Sequence, residues 1–136
     1  MRIKAAVLYE QGKEHPFTES NPLVVEDLDL EPPGDDEVLI KTGAARLCHS
    51  DLSMIRGVME RKVPMVPGHE AAGVVEEVGK AVTQCKPGDH VVMSFVPICG
   101  ECEYCTTGRP NLCSIAFNAR ATGALINGNR RLSLDG

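Results

Sequence analysis

The sequence has 136 residues, which is enough for one domain with a hydrophobic core and too short for two domains of ordinary size. We therefore expect a single domain over residues 1–136. Its 14 basic and 19 acidic residues give a net charge of −5, and no run of like charges favours nucleic acid or a membrane surface as partner. The first apolar run, Ala5 to Tyr9, is too short for a signal peptide or a membrane span. We therefore expect a soluble cytoplasmic protein.

Short apolar stretches separated by turn residues run through the sequence. Val and Ile are frequent in these stretches, and Pro or Gly interrupts them every ten to twenty positions, which favours strands over helices. The pattern predicts a mainly β protein, either a barrel or a sandwich. In chain order, the predicted strands are residues 3–9, 23–30, 37–47, 71–78 and 89–96.

One early segment departs from the strand pattern. In CHSDLSMIRG, residues 48–57, His49 or Ser50 can begin a helix, and two apolar residues three positions apart follow. This segment predicts a short helix. Residues 114–136, by contrast, have Gly and Asn at turn spacing and no strong apolar run, so we expect a turn-rich surface excursion there.

Four of the six cysteines lie in CGECEYCTTGRPNLC, with the spacing C-x2-C-x2-C-x7-C. Two residues between ligands let a tight turn aim successive thiolates at one point, and four sulfurs complete a tetrahedral zinc site. Such a site has no open position for a substrate, so its role is structural. We expect a structural zinc lobe over residues 95–115, held by Cys99, Cys102, Cys105 and Cys113.

An iron–sulfur cluster is the main competitor for this motif, because ferredoxins share the run of its first three cysteines. In ferredoxins the fourth cysteine follows after three intervening residues and precedes proline, whereas Cys113 follows after seven and precedes Ser114. A disulfide framework is disfavoured in a reducing cytoplasm. Zinc is therefore the predicted metal.

Two upstream motifs offer a second set of metal ligands. LCHSD contributes Cys48, PGHEAAG contributes His69, and the carboxylates of Asp51 and Glu70 lie beside them. A lone cysteine is usually a small buried hydrophobe, and a lone histidine is more often a surface or capping residue. Together, however, a cysteine and a histidine suggest a catalytic zinc site, which also needs a third protein ligand and an open position.

The motifs CHSD, GHEAAGVVEEVG, KPGDHVV and CGECEYCTTGRPNLC occur in this order. Their order and spacing resemble the zinc-dependent alcohol dehydrogenases of the medium-chain dehydrogenase/reductase superfamily. The resemblance runs from about Lys4 to Gly136. It implies that the chain is the N-terminal, GroES-like part of the catalytic domain, whose fold is a partly open β-barrel with a short helix.

The resemblance also implies roles for the second set of residues. Cys48 and His69 would be ligands of a catalytic zinc, and Glu70 would be a carboxylate behind the metal or a transient ligand. Asp51 would accept a hydrogen bond from the His69 ring. Ser50 would be the hydroxyl through which an alcohol passes its proton.

The implied reaction interconverts a small-molecule alcohol and an aldehyde or ketone by hydride transfer to or from NAD or NADP, with zinc polarising the substrate oxygen. His49 would lie against the cofactor pyrophosphate. No G-x-G-x-x-G follows a predicted strand, so we expect the cofactor domain and the third catalytic zinc ligand to lie outside these residues. The isolated chain would then be inactive, and the full-length protein could form a homo-oligomer, as relatives commonly do through the cofactor domain.

Ser53 departs from the family pattern, since many relatives carry a histidine there that extends the proton relay. A non-enzymatic β-barrel assembly module braced by zinc is the rival interpretation, but it gives no reason for CHSD and GHE. Cys85 and His90 match neither metal set, and we expect them to be packing or surface residues. The acidic stretch 31–37 lacks the spacing of an EF-hand and predicts an exposed turn.

Overall fold

The computed structural model describes residues 1–134, which contain two antiparallel sheets of three strands each. The first sheet has the strand order β1-β2-β6 and the second has the order β3-β4-β5. Within the described residues the two sheets do not close into a barrel, which agrees with the predicted partly open, mainly β fold. The strands are β1 (Arg2–Leu8), β2 (Leu23–Leu30), β3 (Val38–Arg46), β4 (Glu70–Val78), β5 (His90–Val92) and β6 (Leu132–Ser133).

Four short α-helices and one 3-10 turn lie between the strands. The second helix begins at His49 and ends at Ile55, which confirms the helix predicted for residues 48–57. None of the helices in residues 1–134 has the length and apolar character that a membrane crossing requires. The helices are α1 (Phe17–Ser20), α2 (His49–Ile55), α3 (Glu103–Thr106) and α4 (Ser114–Thr122), and the 3-10 turn is Pro110–Leu112.

The first sheet runs from a charged end at the surface to an apolar end in the core. Arg2 and Lys4 on β1 lie opposite Asp29 and Asp27 on β2, with nitrogen to oxygen distances of 3.6 and 3.2 Å. Opposite charges across an antiparallel pair favour this register. At the other end of β1, Leu8 is fully buried, so the strand passes from the surface into the core along its length.

The core joins the two sheets near the end of β1. Leu8 exchanges two backbone hydrogen bonds with Met65, of 2.8 and 3.0 Å, and this bridge ties the first sheet to the segment before β4. Val75 on β4 is 2% exposed, and Met54 on α2 is 7% exposed. Burial of Met54 holds α2 against the body of the domain, and α2 carries several of the candidate site residues.

In the second sheet, β4 is the central strand and pairs with β3 on one side and β5 on the other. The pairing of β3 with β4 shifts register between Thr42 and Ala44, opposite Gly73, where a Cβ would collide with the carbonyl oxygen of Lys41. Only glycine allows this close approach of two backbones. The prediction that a strand continues through residue 96 is wrong, because β5 ends at Val92 and the chain then leaves the sheet toward the cysteine-rich lobe.

The prediction of a turn-rich excursion after Cys113 is wrong for residues 114–122, which form α4. Alanine has the highest helix propensity of any residue, and the alanines of this segment favour the helix despite its lack of a strong apolar run. Ala116 and Ala119, three positions apart, are the buried residues of the helix. Gly123 ends it in the left-handed conformation, with φ of 66°.

Candidate metal centres

The four cysteines of the lobe converge on one point. Their sulfur atoms all lie within 4.8 Å of one another. The Sγ atom of Cys99 lies 3.6 Å from that of Cys113 and 3.9 Å from that of Cys105. In a tetrahedral site with zinc–sulfur bonds of about 2.3 Å, neighbouring sulfurs are about 3.8 Å apart. The thiols are therefore spaced as a four-sulfur zinc site requires.

Short helical turns bring these thiols together and set their charge. Cys102 immediately precedes α3 and Cys105 lies within it, while Cys113 connects the 3-10 turn to α4. The backbone N–H groups of Cys105 and Ser114 stabilise the thiolate of Cys102 and lower its pKa to about 5. Burial raises the pKa of Cys105 to about 11. The lobe thus combines one thiol that ionises readily with one that needs a metal to lose its proton.

A second group of donors lies where the start of α2 meets the start of β4. Cys48 immediately precedes α2, His69 immediately precedes β4, and Glu70 is the first residue of that strand. One sulfur, one nitrogen and one carboxylate oxygen from these residues lie within 4.8 Å of one another. Three donors of these types suit zinc and leave a fourth tetrahedral position for another ligand.

Asp51 links two of these donors and is 4% exposed. Its Oδ2 atom accepts a hydrogen bond of 2.9 Å from the backbone N–H of Cys48, and its Oδ1 atom lies 3.2 Å from Nδ1 of His69. A carboxylate beside Nδ1 favours the tautomer with the proton on that nitrogen, which leaves the lone pair on Nε2. Asp51 therefore aims Nε2 of His69 toward the other two donors.

The remaining contacts of this group are polar and perturb its ionisation. Ser50 Oγ lies 3.3 Å from His69 Nε2, and Glu70 Oε1 lies 3.9 Å from the same nitrogen. Hydrogen bonds from Ser50 and His69 lower the pKa of Cys48. Burial alone would lower the pKa of His69, but the hydrogen bond with Cys48 and the charge of Asp51 outweigh it and raise that pKa. Cys48 and His69 therefore each stabilise the charged form of the other.

The other predicted positions lie outside these two groups. His49 is exposed at the first position of α2, and its carbonyl oxygen accepts a hydrogen bond of 3.1 Å from Ser53, so its contact with a cofactor stays a prediction. Cys85 and His90 contribute to neither group, as expected. In the acidic stretch 31–37, Asp35 and Asp36 are exposed, but the Glu37 side chain is only 13% exposed.

Two residues beside the second group carry no clear signal in the sequence. Phe95 meets the ring of His69 edge-on, with the ring centroids 5.5 Å apart. The guanidinium of Arg120 lies over the Phe95 ring, with Cζ 5.3 Å from the ring centroid. Phe95 falls in a predicted strand and Arg120 in a predicted surface excursion, and neither prediction places Phe95 against His69 or Arg120 against Phe95.

Sequence comparison gives the family. The profile of the alcohol dehydrogenase GroES-like domain matches residues 34–129, which contain both groups of candidate metal ligands. The chain belongs to this family. The residues of both donor groups therefore all lie within the GroES-like domain.

Alcohol dehydrogenases resemble this GroES-like domain in sequence and structure. The NDMA-dependent alcohol dehydrogenase of Amycolatopsis methanolica is 53% identical over 115 residues, which are 85% of this chain and 29% of that protein. Benzyl alcohol dehydrogenase from Acinetobacter calcoaceticus superposes with a TM-score of 0.83 at 36% identity, over 97% of this chain and 34% of its own. An alcohol dehydrogenase zinc-binding domain protein from Burkholderia ambifaria superposes with a TM-score of 0.85 at 34% identity, over 99% of this chain and 34% of its own. The chain spans about a third of the length of the relatives it matches.

Proposed function

We propose that this chain is the zinc-binding part of the catalytic domain of an NAD(P)-dependent alcohol dehydrogenase, which interconverts an alcohol and an aldehyde or ketone. One observation carries the proposal: donor atoms of Cys48, His69 and Glu70 converge. With Glu70 as a carboxylate behind the metal or a transient ligand, a zinc at this group would have room for the third protein ligand expected outside these residues and for substrate. The lobe at residues 95–115 would hold a second, structural zinc, because its four sulfurs leave no room for substrate.

Each residue of the open group then has a distinct task. A zinc ion held there supplies the Lewis acidity that polarises the oxygen of an alcohol or carbonyl. Cys48 and His69 would hold the ion together with a third protein ligand outside these residues, and Glu70 would be a carboxylate behind the metal or a transient ligand. Asp51 keeps the lone pair of His69 Nε2 aimed at the metal through its contact of 3.2 Å with Nδ1.

Ser50 is the proposed proton acceptor for the substrate alcohol. Its hydroxyl lies 3.3 Å from His69 Nε2, and its backbone belongs to the first turn of α2, so it borders the position left by the three donors. A hydroxyl can accept one proton while donating its own toward solvent. Because Ser53 replaces the histidine of many relatives, the proton would continue through water or the cofactor ribose.

The cofactor would be NAD or NADP, bound mainly by a domain outside these residues, with His49 facing its pyrophosphate. His49 is exposed at the start of α2, where a cofactor could reach it. The expected partners are small-molecule alcohols or aldehydes, and a homo-oligomer would form through the cofactor domain. In this proposal the enzyme works in the cytoplasm, and the chain alone does not turn over substrate.

Substitutions at the open group of the full-length protein test this function. Cys48→Ala and His69→Ala should each lower kcat for alcohol oxidation roughly a thousandfold or more, since each removes a ligand of the polarising metal. Each variant should keep the zinc of the four-cysteine lobe, as measured by metal analysis after dialysis. Cys85→Ala is the matched control and should keep full activity. Unchanged turnover in the Cys48 and His69 variants would show that this group takes no part in catalysis, and would favour the interpretation of these residues as a zinc-braced assembly module.

A further inference from the structure

Two successive contacts join the open donor group to Arg120 through the ring of Phe95. His69 meets the ring of Phe95 edge-on at 5.5 Å, and Arg120 covers the same ring at 5.3 Å. Phe95 is 54% exposed, so much of its surface remains open to a ligand. The positive charge of Arg120 is thus fixed one aromatic ring beyond a residue of the candidate catalytic centre.

Arg120 differs from the neighbouring arginines in its partners. Arg131 binds the carboxylates of Glu31 and Glu37, and Arg130 donates a hydrogen bond of 2.8 Å to the carbonyl oxygen of Thr122. Within residues 1–134, no carboxylate lies within 4.0 Å of the Arg120 guanidinium, and its N–H groups donate no hydrogen bond. A guanidinium stacked on an aromatic face keeps the N–H groups along its edge available to bind a planar anion.

We propose that Arg120 determines substrate specificity and selects alcohols and aldehydes that carry a carboxylate at the end remote from the reacting oxygen. The inference rests on the proposed function. A substrate whose oxygen reaches the group of Cys48, His69 and Glu70 would pass along the Phe95 ring before its far end meets Arg120. The Phe95 ring favours an apolar connecting segment, and the guanidinium favours a terminal carboxylate.

A purely structural explanation makes a different prediction. Arg120 lies in the last turn of α4, where a cation stabilises the helix through its dipole. Loss of that stabilisation would affect the folded enzyme and therefore all substrates equally. Specificity for carboxylates must instead appear as a change in the ratio of kcat/KM between a charged substrate and a neutral one.

The test compares 6-hydroxyhexanoate with 1-hexanol in the full-length, zinc-loaded protein. Arg120→Gln should lower the kcat/KM ratio of the acid to the alcohol about tenfold or more, because a charge-assisted hydrogen bond to the carboxylate is lost. Arg120→Lys should lose less, since it keeps the charge but not the fork of N–H groups. Arg109→Gln is the matched control, because Arg109 lies over Tyr104 in a similar geometry, at 5.7 Å, within the four-cysteine lobe.

Two further measurements do not depend on the Gln variant or on turnover. Calorimetric titration without nicotinamide should give a lower Kd for 6-hydroxyhexanoate than for 1-hexanol in the wild-type protein. Added salt should weaken binding of the acid selectively. Suppose both alcohols are oxidised and bound, but Arg120→Gln leaves their kcat/KM ratio unchanged and salt leaves the ratio of their Kd values unchanged. Arg120 then has no role in specificity, although the dehydrogenase function stands. If the wild-type protein oxidises neither alcohol nor any other, both proposals fail.

Discussion

The two donor groups differ in how much of the fold each one needs. The four thiols of the lobe come from a single short stretch bent by α3 and the 3-10 turn, so local structure alone nearly assembles them. Cys48 lies far from His69 and Glu70 in the sequence, and the two segments meet through the contacts of Asp51 and Ser50 with the His69 ring. The four-sulfur group thus depends mainly on a local motif, whereas the group of Cys48, His69 and Glu70 depends on tertiary structure and on a buried partner, Asp51.

The donors of the two groups also differ in what they do without a metal. In the lobe, backbone N–H groups lower the pKa of Cys102 to about 5, so this thiol is ionised at neutral pH. In the open group, the donors contact one another and Ser50, which lies 3.3 Å from His69. The partners of the ionised lobe thiol are thus backbone N–H groups, whereas the donors of the open group are partnered by one another and by the side chains of Ser50 and Asp51.

The largest expected effect is the loss of the lobe metal. Cys105→Ser removes one of four sulfurs and should lower the free energy of unfolding of the zinc-loaded chain by about 4 kcal/mol or more, because metal binding is coupled to folding of the loop. Thermal denaturation with and without a chelator measures this. Cys85→Ser is the control and should change stability by less than about 0.5 kcal/mol. Equal stability of the Cys105 variant and the wild type would show that no metal braces the lobe.

The next effect distinguishes the open group from the lobe. Asp51→Asn removes the carboxylate that orients His69 and should weaken metal binding at the open group about 10-fold to 100-fold, without changing metal retention by the lobe. Competition with a chromophoric chelator measures both affinities. Asp36→Asn, at an exposed position, is the matched control. An equal loss of affinity at both groups would mean that Asp51 supports the whole fold and not one ligand.

The smallest effect comes from a carboxylate remote from both groups. The Arg131 guanidinium donates hydrogen bonds to Glu37, one of them 2.8 Å long, and lowers the Glu37 pKa from 4.5 to about 2. Because this pKa is lower in the folded chain, the stabilisation is complete above pH 4.5 and is lost as the pH falls toward 2. Glu37→Gln should cost about 1–2 kcal/mol near pH 7 and almost nothing near pH 2. Chemical denaturation across this pH range measures the difference.

The control for Glu37→Gln is Asp35→Asn, which removes an exposed ion pair with Lys80 and should cost at most about 1 kcal/mol. Neither variant should change the metal content at neutral pH, since neither residue belongs to a donor group. A pH-independent cost of Glu37→Gln would mean that its charge is not what stabilises the contact with Arg131.

The sequence predicts the strands and helices that follow from a local pattern of residues, and it does not predict the contacts that depend on how distant segments pack. The strand over residues 23–30 has the predicted bounds, and the helix at 48–57 follows from a start signal and apolar spacing. The helix α4 was missed because its alanines form no apolar run, although Ala116 and Ala119 at helical spacing were a usable signal. The position of Phe95 beside His69 has no local signal at all, because it depends on where the chain goes after leaving β5.

The spacing of the cysteines was enough to predict the four-sulfur cluster, and the sulfur separations of 3.6 and 3.9 Å agree with it. The open group needed the family resemblance, because Cys48 and His69 alone have ordinary explanations. The structure brings them together with Glu70, but which centre serves catalysis stays a prediction.

Counting bound zinc by native mass spectrometry, after dialysis of the chain and two variants, tests the central distinction most directly. We predict one tightly retained zinc in the wild type, none in Cys105→Ser and one in His69→Ala, with a second zinc appearing in the wild type only when the metal is in excess. A retained zinc that disappears in His69→Ala and survives in Cys105→Ser would contradict the assignment of a closed and an open centre.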